Sequence, residues 1–186
     1  MSDKKKHPKE KSRLHPRNKN RMRYDFEKLQ ENCKTLQPFV RLNAYDDLSI
    51  DFADPKAVKA LNQAILKYHY RIDYWEIPAD FLSPPIPGRA DYIHYIADLL
   101  GGTNFGKIPR GDKIKCLDIG VGANCIYPLI GVTEYGWSFI GSDIDPKAIS
   151  SASKIVAKNS NLKGKVDCRV QQNPKDFFEA VIQFIE

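Results

Sequence analysis

The stretch that most limits what this chain can fold into runs from Lys113 to Asn124, Lys-Ile-Lys-Cys-Leu-Asp-Ile-Gly-Val-Gly-Ala-Asn. Ile114, Cys116, Leu117 and Ile119 form a short, nearly continuous apolar run. Such a run suits a central parallel strand buried on both faces. Gly120 and Gly122 follow at once, so the backbone can turn sharply and a ligand can lie against the main chain with no Cβ in the way. Asp118 is an acid at the end of that strand. An unpaired buried charge is expensive, so it requires donors from the glycine loop or from a ligand. Gly120-x-Gly122 alone is a weak signal. The dinucleotide fingerprint needs a third glycine three residues after the second, and Cys125 stands there, which argues against a nicotinamide cofactor.

The residues that follow alternate strand and helix. Ile126 to Val132 reads as a helix with Pro128 in its first turn. Trp137 to Ser142 reads as a second strand with Asp143 at its end. Asp145 followed by Pro146 is a cap and first-turn pair that opens a helix carrying Ala148, Ile149, Ala152, Ile155 and Val156 on one face. Lys165 to Gln171 alternates through Val166, Cys168 and Val170 as a third strand. Asn173-Pro174 opens a final helix with Phe177, Phe178, Val181, Ile182 and Ile185 apolar. The βαβαβα order predicts an α/β, Rossmann-like parallel sheet covered by helices. An acid at the end of the second strand suits two ribose hydroxyls, which leaves Asp143 either a ribose ligand or part of the helix cap. Since Asp145 serves the cap, Asp143 is expected to be free.

The charge is unevenly placed. Residues 1–23 hold ten Lys and Arg against two acids, whereas the whole chain has 29 bases and 23 acids. The excess is therefore a basic arm on a near-neutral body. Such an arm meets a polyanion, most often nucleic acid, or is a solvated disordered leader. Arg13, Arg17, Asn18, Lys19, Asn20, Arg21 and Arg23 are the candidate nucleic-acid-binding residues, the asparagines adding hydrogen-bonding groups among the cations. No apolar run reaches the roughly 18 residues of a membrane span, and the charged N-terminus has no secretory pattern. The four cysteines, Cys33, Cys116, Cys125 and Cys168, lack C-x-x-C spacing. They read as small apolar residues of a reducing, cytoplasmic setting, with no metal site.

The expected organisation is a disordered basic arm at 1–23, a helical and Pro-rich region at 24–110, and a nucleotide-binding unit at 111–186. Within the middle region, Tyr24 to Leu36 is a short helix ended by Pro38. Asp54-Pro55 caps a longer helix bearing Val58, Leu61, Ile65 and Tyr68. The aromatics Tyr68, Tyr70, Tyr74 and Trp75 read as packing. From Ile77 to Arg89, prolines stiffen an extended segment, Gly88 permits a turn, and a helix runs from Ala90 to Leu100. Arg89 at that helix start is either a ligand clamp or one half of a surface ion pair.

Acid-x-Gly-x-Gly without the third glycine looks like motif I of class I S-adenosylmethionine methyltransferases. Four stretches extend the likeness: His15-Pro-Arg-Asn-Lys-Asn20, Pro84-Pro-Ile-Pro-Gly-Arg-Ala-Asp-Tyr-Ile-His94, Leu117-Asp-Ile-Gly-Val-Gly-Ala-Asn-Cys-Ile-Tyr-Pro-Leu-Ile-Gly131 and Gly141-Ser-Asp-Ile-Asp145. Together they resemble the bacterial large-subunit (23S) ribosomal RNA adenine-N6 methyltransferases of the RlmF type, whose core is shared with the eukaryotic small nuclear RNA adenine methyltransferases. The resemblance implies S-adenosylmethionine as cofactor and a class I methyltransferase sheet with a basic helical extension. Arg89 would hold the cofactor's carboxylate, Asp118, Gly120 and Gly122 would lie against it, and Asp143 would take the ribose hydroxyls. The arm and first helices would bind large-subunit ribosomal RNA, and the complete enzyme would be a monomer with neither metal nor membrane attachment.

Enzymes of this type hold the target amine with an Asn-Pro-Pro-aromatic loop after a fourth strand. Asn173-Pro-Lys-Asp-Phe177 follows the third strand and lacks the second proline, so the catalytic role is not carried to it. The catalytic loop is expected beyond Glu186, about one strand further on. The expectation is therefore an incomplete sheet in a truncated chain, with the Asp118 strand at its edge and catalytic residues unassigned. The alternatives are a non-catalytic RNA-binding remnant of the family and another nucleotide-binding Rossmann enzyme.

Overall fold

Three parallel strands and the loops at their carboxyl ends position everything that follows. The computed structural model describes residues 10–176 and residue 178. Along the chain come α1 (Phe26–Asn32), a 3-10 turn at Lys34–Phe39, and a small hairpin of β1 (Arg41–Leu42) and β2 (Leu48–Ser49). Next are α2 (Pro55–Tyr70), α3 (Ile86–Gly102), β3 (Lys115–Ile119), α4 (Ile126–Tyr135), β4 (Ser138–Asp143), α5 (Pro146–Lys158) and β5 (Val166–Val170).

The second sheet has the order β3-β4-β5, all parallel, with Asp118 paired to Gly141 and Asp143 to Val170. Among the described residues β3 pairs only with β4, so the strand carrying Asp118 is an edge. Right-handed crossovers place α4 and α5 on one face of this sheet. Close approach there requires glycine: a Cβ on Gly141 of β4 would lie 2.8 Å from a methyl of Val121. The α5 face expected from the sequence, Ala148, Ile149, Ala152, Ile155 and Val156, is the buried one. Asp54 and Asp145 both cap their helices, each accepting from the backbone N–H two residues on, at 2.8 Å.

Local chemistry moves two helix boundaries. The helix expected over Ala90–Leu100 begins at Ile86, with Pro85 as N-cap and Pro87 in the first turn. Proline is cheap there because the first-turn N–H groups have no intrahelical partner. Gly88 is thus helical rather than a turn, and Arg89 stands on the first turn of α3. The helix expected over Tyr24–Leu36 stops at Asn32, and the chain tightens into the 3-10 turn, which contains Pro38. The final helix expected after Pro174 lies mostly outside the described residues, and so does Glu186.

The larger departure is the basic arm. Residues 10–23, expected to be disordered, are folded against α3 and α4; residues 1–9 lie outside the description. His15, Asn18 and Asn20 are buried. The His15 N–H donates to Asp91 at 2.9 Å, and its Nε2 lies 2.8 Å from Asp98. Since the Arg17 N–H donates to His15 Nδ1, the ring proton sits on Nε2 and points at Asp98. Asn18 donates to the Pro87 carbonyl at 2.8 Å and to Asp91 at 2.5 Å, while its oxygen accepts from both N–H groups of Asn20, backbone and amide. Buried polar groups must be partnered, and α3 supplies the partners that hold this segment down as a strap.

Candidate functional site

The loop between β3 and α4 is pinned from four sides. Gly120 and Val121 donate their N–H groups to the Ser142 carbonyl at 2.8 and 2.9 Å. The Gly122 N–H donates to Asp143 Oδ2 at 3.0 Å. The Ser151 hydroxyl donates to the Ala123 carbonyl at 2.9 Å, and the Trp75 indole donates to the Asn124 carbonyl at 2.9 Å. Asn124 Oδ1 then accepts from the Ile126 N–H and closes the start of α4. Gly120 and Gly122 have φ of 79° and 64°, which glycine adopts without strain. Cys125 takes φ 54° and is fully buried, its free thiol donating a hydrogen bond to the free Cys168 of β5.

Two carboxyls flank this loop. Asp143 is not free as expected: besides Gly122 it accepts from the Asp145 N–H at 3.0 Å. One carboxylate thus ties the glycine loop to the start of α5, each oxygen accepting one N–H and retaining further acceptor capacity. Of the two donor sources expected for Asp118, the glycine loop or a ligand, the loop supplies none to its Oδ2, which is buried with no hydrogen-bond partner. Burial, and then the nearby Asp143 charge, push its carboxyl up from 3.8 to about 6. An orphaned buried oxygen beside an open glycine turn calls for a donor or a cation from outside. No atom stands within 4 Å of where a Gly120 Cβ would be, so the loop is open to a ligand.

Asp118 also lines a cavity of about 340 Å³ with Tyr92, Ile96 and Tyr127. Arg89 reaches its rim. Its guanidinium donates to the Tyr127 hydroxyl at 2.7 Å and lies 5.6 Å from that ring's centre, with no carboxylate partner among the described residues. The arrangement brings Arg89, Asp118, Gly120, Gly122 and Asp143 to the carboxyl end of the sheet, where ligands of open α/β sheets bind. Sequence reasoning does not single out Tyr127 or Ser151, and it gives Trp75 a packing role alone. Trp75 does pack, but its N–H also props the loop across 49 residues.

The candidate RNA-binding residues divide. Asn18 and Asn20 face inward. Arg17 donates to the Tyr135 hydroxyl, the His94 carbonyl and Asp98. Burial holds the His94 imidazole down at about 4, so it is neutral beside this cation. Lys19 pairs with Glu134 at 2.8 Å, Arg23 pairs with Asp47 at 3.1 Å, and Arg21 bonds Glu10 and the Leu14 carbonyl. Only Arg13 of the seven is exposed without a partner among the described residues.

No catalytic residue is assigned among the described residues. Asn173 caps a turn, accepting from the Lys175 N–H at 3.0 Å, and is no amine-holding loop. Glu186, beyond which that loop is expected, lies outside the described residues, so the structure carries no candidate for the role.

A parallel sheet with a glycine loop after its first strand and an acid closing its second defines a Rossmann-like domain of the class I methyltransferase kind. Comparison with known proteins narrows it. A family model described as RNA methyltransferase matches residues 8–186, and the chain belongs to that family. It is 57% identical over 182 residues to the ribosomal RNA large subunit methyltransferase F of Yersinia enterocolitica, covering 98% of this chain and 54% of that protein. The chain spans about half the length of the curated relatives it matches. Among solved structures, the N-terminal domain of human METTL16 in complex with SAH superposes with a TM-score of 0.79 at 30% identity, covering 93% of this chain and 65% of that one. The human METTL16 catalytic domain in complex with the MAT2A 3′UTR hairpin 6 gives 0.73 at 32%, covering 86% and 54%. No helix among the described residues is long and apolar enough to cross a membrane.

Proposed function

We propose that this chain forms the cofactor-binding part of an S-adenosylmethionine-dependent methyltransferase acting on the exocyclic N6 amine of an adenine in large-subunit ribosomal RNA. The observation that carries the cofactor reading is the pairing of an orphaned Asp118 oxygen with an Asp143 that already grips the glycine loop. The residues fit the group. Asp118 offers an acceptor to a cationic ligand. Asp143 keeps acceptor sites for ribose hydroxyls, and Arg89 stands at the rim for a carboxylate. The cofactor, when bound, supplies an activated methyl group on a sulfonium. The chain's own residues bind and orient it: the pinned loop sets the distance of approach, and Tyr127 holds Arg89 in reach.

RNA as substrate is supported by the family and by the hairpin bound to the METTL16 relative. Large-subunit ribosomal RNA and the adenine amine are supported by the names of the bacterial relatives and by the sequence resemblance. The test joins this chain to the remaining length of the Yersinia enterocolitica relative. Radiolabelled methyl transfer to unmethylated large-subunit ribosomal RNA is then followed by nucleoside analysis. Label in N6-methyladenosine that disappears with Asp143→Ala is the expected result. Equal transfer with and without Asp143 would remove the site assignment, and label in another nucleoside would remove the adenine-N6 reading.

A further inference from the structure

A second concavity lies at the other end of the sheet. It holds about 490 Å³ and is lined by Lys19, Tyr68, His69, Arg71, Asn161 and Lys165 among others. Lys165 immediately precedes β5, whose far end pairs with Asp143. Five strand residues at about 3.3 Å each separate the two ends by roughly 16 Å. The cavity is therefore distinct from the cofactor loop.

Its charge exceeds what the fold requires. Lys19 is neutralised by Glu134 and donates to the His69 carbonyl. Arg71 and Lys165 have no ion-pair partner among the described residues. A cation near the α2 carbonyl end complements the helix dipole, but one would suffice. Burial, and then the Lys19 charge, bring the His69 imidazole down to about 4, so it is a neutral ring in this wall. Tyr68 is exposed beside it, edge-on to His69 with ring centres 4.9 Å apart.

Backbone geometry supplies an independent observation. Arg71 terminates α2 in the left-handed region, φ 56° and ψ 39°, its N–H bonding the Leu66 and Lys67 carbonyls. Glycine or asparagine is the usual occupant of such a cap. The chain places an unpaired guanidinium there, with the Asn161 amide donating to its carbonyl at 3.3 Å. A strained non-glycine residue held at a cavity wall points to use of its side chain.

We propose that this cavity is a phosphate-binding subsite for the RNA, remote from the reacting base. Arg71 and Lys165 contact one or two backbone phosphates, and Tyr68 offers its face to an unstacked base. The inference rests on RNA being the partner. The subsite positions the RNA and reads no sequence.

The experiment measures fluorescence anisotropy of a labelled large-subunit ribosomal RNA fragment over a series of salt concentrations. The variants are Arg71→Gly, Lys165→Gln and their combination, with Arg71→Lys as the charge-conserving control. Arg71→Gly relieves the left-handed backbone, so it folds at least as well as the parent. The double variant should bind more weakly, with a log–log salt slope shallower by about 1.4–1.8 for two lost contacts. Arg71→Lys should restore most of the slope, and S-adenosylmethionine affinity should not change. An unchanged slope in a double variant whose parent binds RNA would overturn the subsite alone. A parent that binds no RNA would overturn the RNA reading with it. Saturable binding of inorganic phosphate at Arg71, with RNA affinity untouched, would assign the cavity to a free anion and also overturn the proposal.

Discussion

Asn18→Ala decides whether the arm is an RNA ligand or a structural strap. The amide makes four hydrogen bonds, two donated to the Pro87 carbonyl and Asp91 and two accepted from Asn20. The residue is 4% exposed, so water cannot replace the lost partners without opening the strap. A net contribution of about 1 kcal/mol per bond, less what relaxation recovers, puts the loss at about 3 kcal/mol. For a chain of this size each kcal/mol moves Tm by about 2–4 °C, so the melting temperature should fall by about 6–12 °C. Differential scanning calorimetry measures it, with Arg13→Ala as the exposed control that should shift Tm by less than about 2 °C. An Asn18→Ala protein that melts with the parent but binds RNA far more weakly would refute the strap and return Asn18 to the RNA surface.

Three further outcomes follow from the glycine loop and its neighbours. Trp75→Phe keeps the ring but removes the donor to Asn124, and should weaken S-adenosylmethionine binding by about fivefold, near 1 kcal/mol, in calorimetric titration. Gly141→Ala drives a methyl to 2.8 Å from Val121. It should cost about 1–3 kcal/mol by overpacking, read as a lower denaturant midpoint together with weaker cofactor binding. Because burial and then Asp143 raise the Asp118 carboxyl from 3.8 to about 6, the folded state holds that proton more tightly than the unfolded one. Its contribution to stability is complete below about pH 4 and is lost as pH rises through about 6. Asp118→Asn should therefore flatten the fall of Tm across that window and weaken binding of the cationic cofactor above it; an unaltered Tm–pH profile would show that Asp118 is not the group responsible.

Local chemistry makes much of the carboxyl half readable. The apolar run before Gly120, the caps at Asp54 and Asp145, and the α5 face each follow from neighbours within a turn or two, and a parallel sheet is what alternating elements must form. What is hidden lies in contacts between distant residues. His15 and Asn18 meet Asp91 and Asp98 more than 70 positions away, and no periodicity marks a polar residue destined for burial beside another. Asparagines set among arginines look like RNA contacts because solvent-facing and strap-forming amides have the same sequence signature. The reach of Arg89 to Tyr127 spans 38 residues and becomes visible only when α3 and α4 are packed together. The orphaned Asp118 oxygen is half legible: the need for a donor follows from burial, but that the loop does not supply one cannot be read from the residues alone.

Isothermal titration of this chain with S-adenosylmethionine and with NAD tests the account most directly, using the parent and Asp143→Ala. One saturable site for S-adenosylmethionine is expected, with a loss of affinity of about tenfold or more on removing the carboxylate that holds Gly122 and is proposed to take the ribose hydroxyls, and no heat from NAD. Binding of NAD, or S-adenosylmethionine affinity indifferent to Asp143, would contradict it.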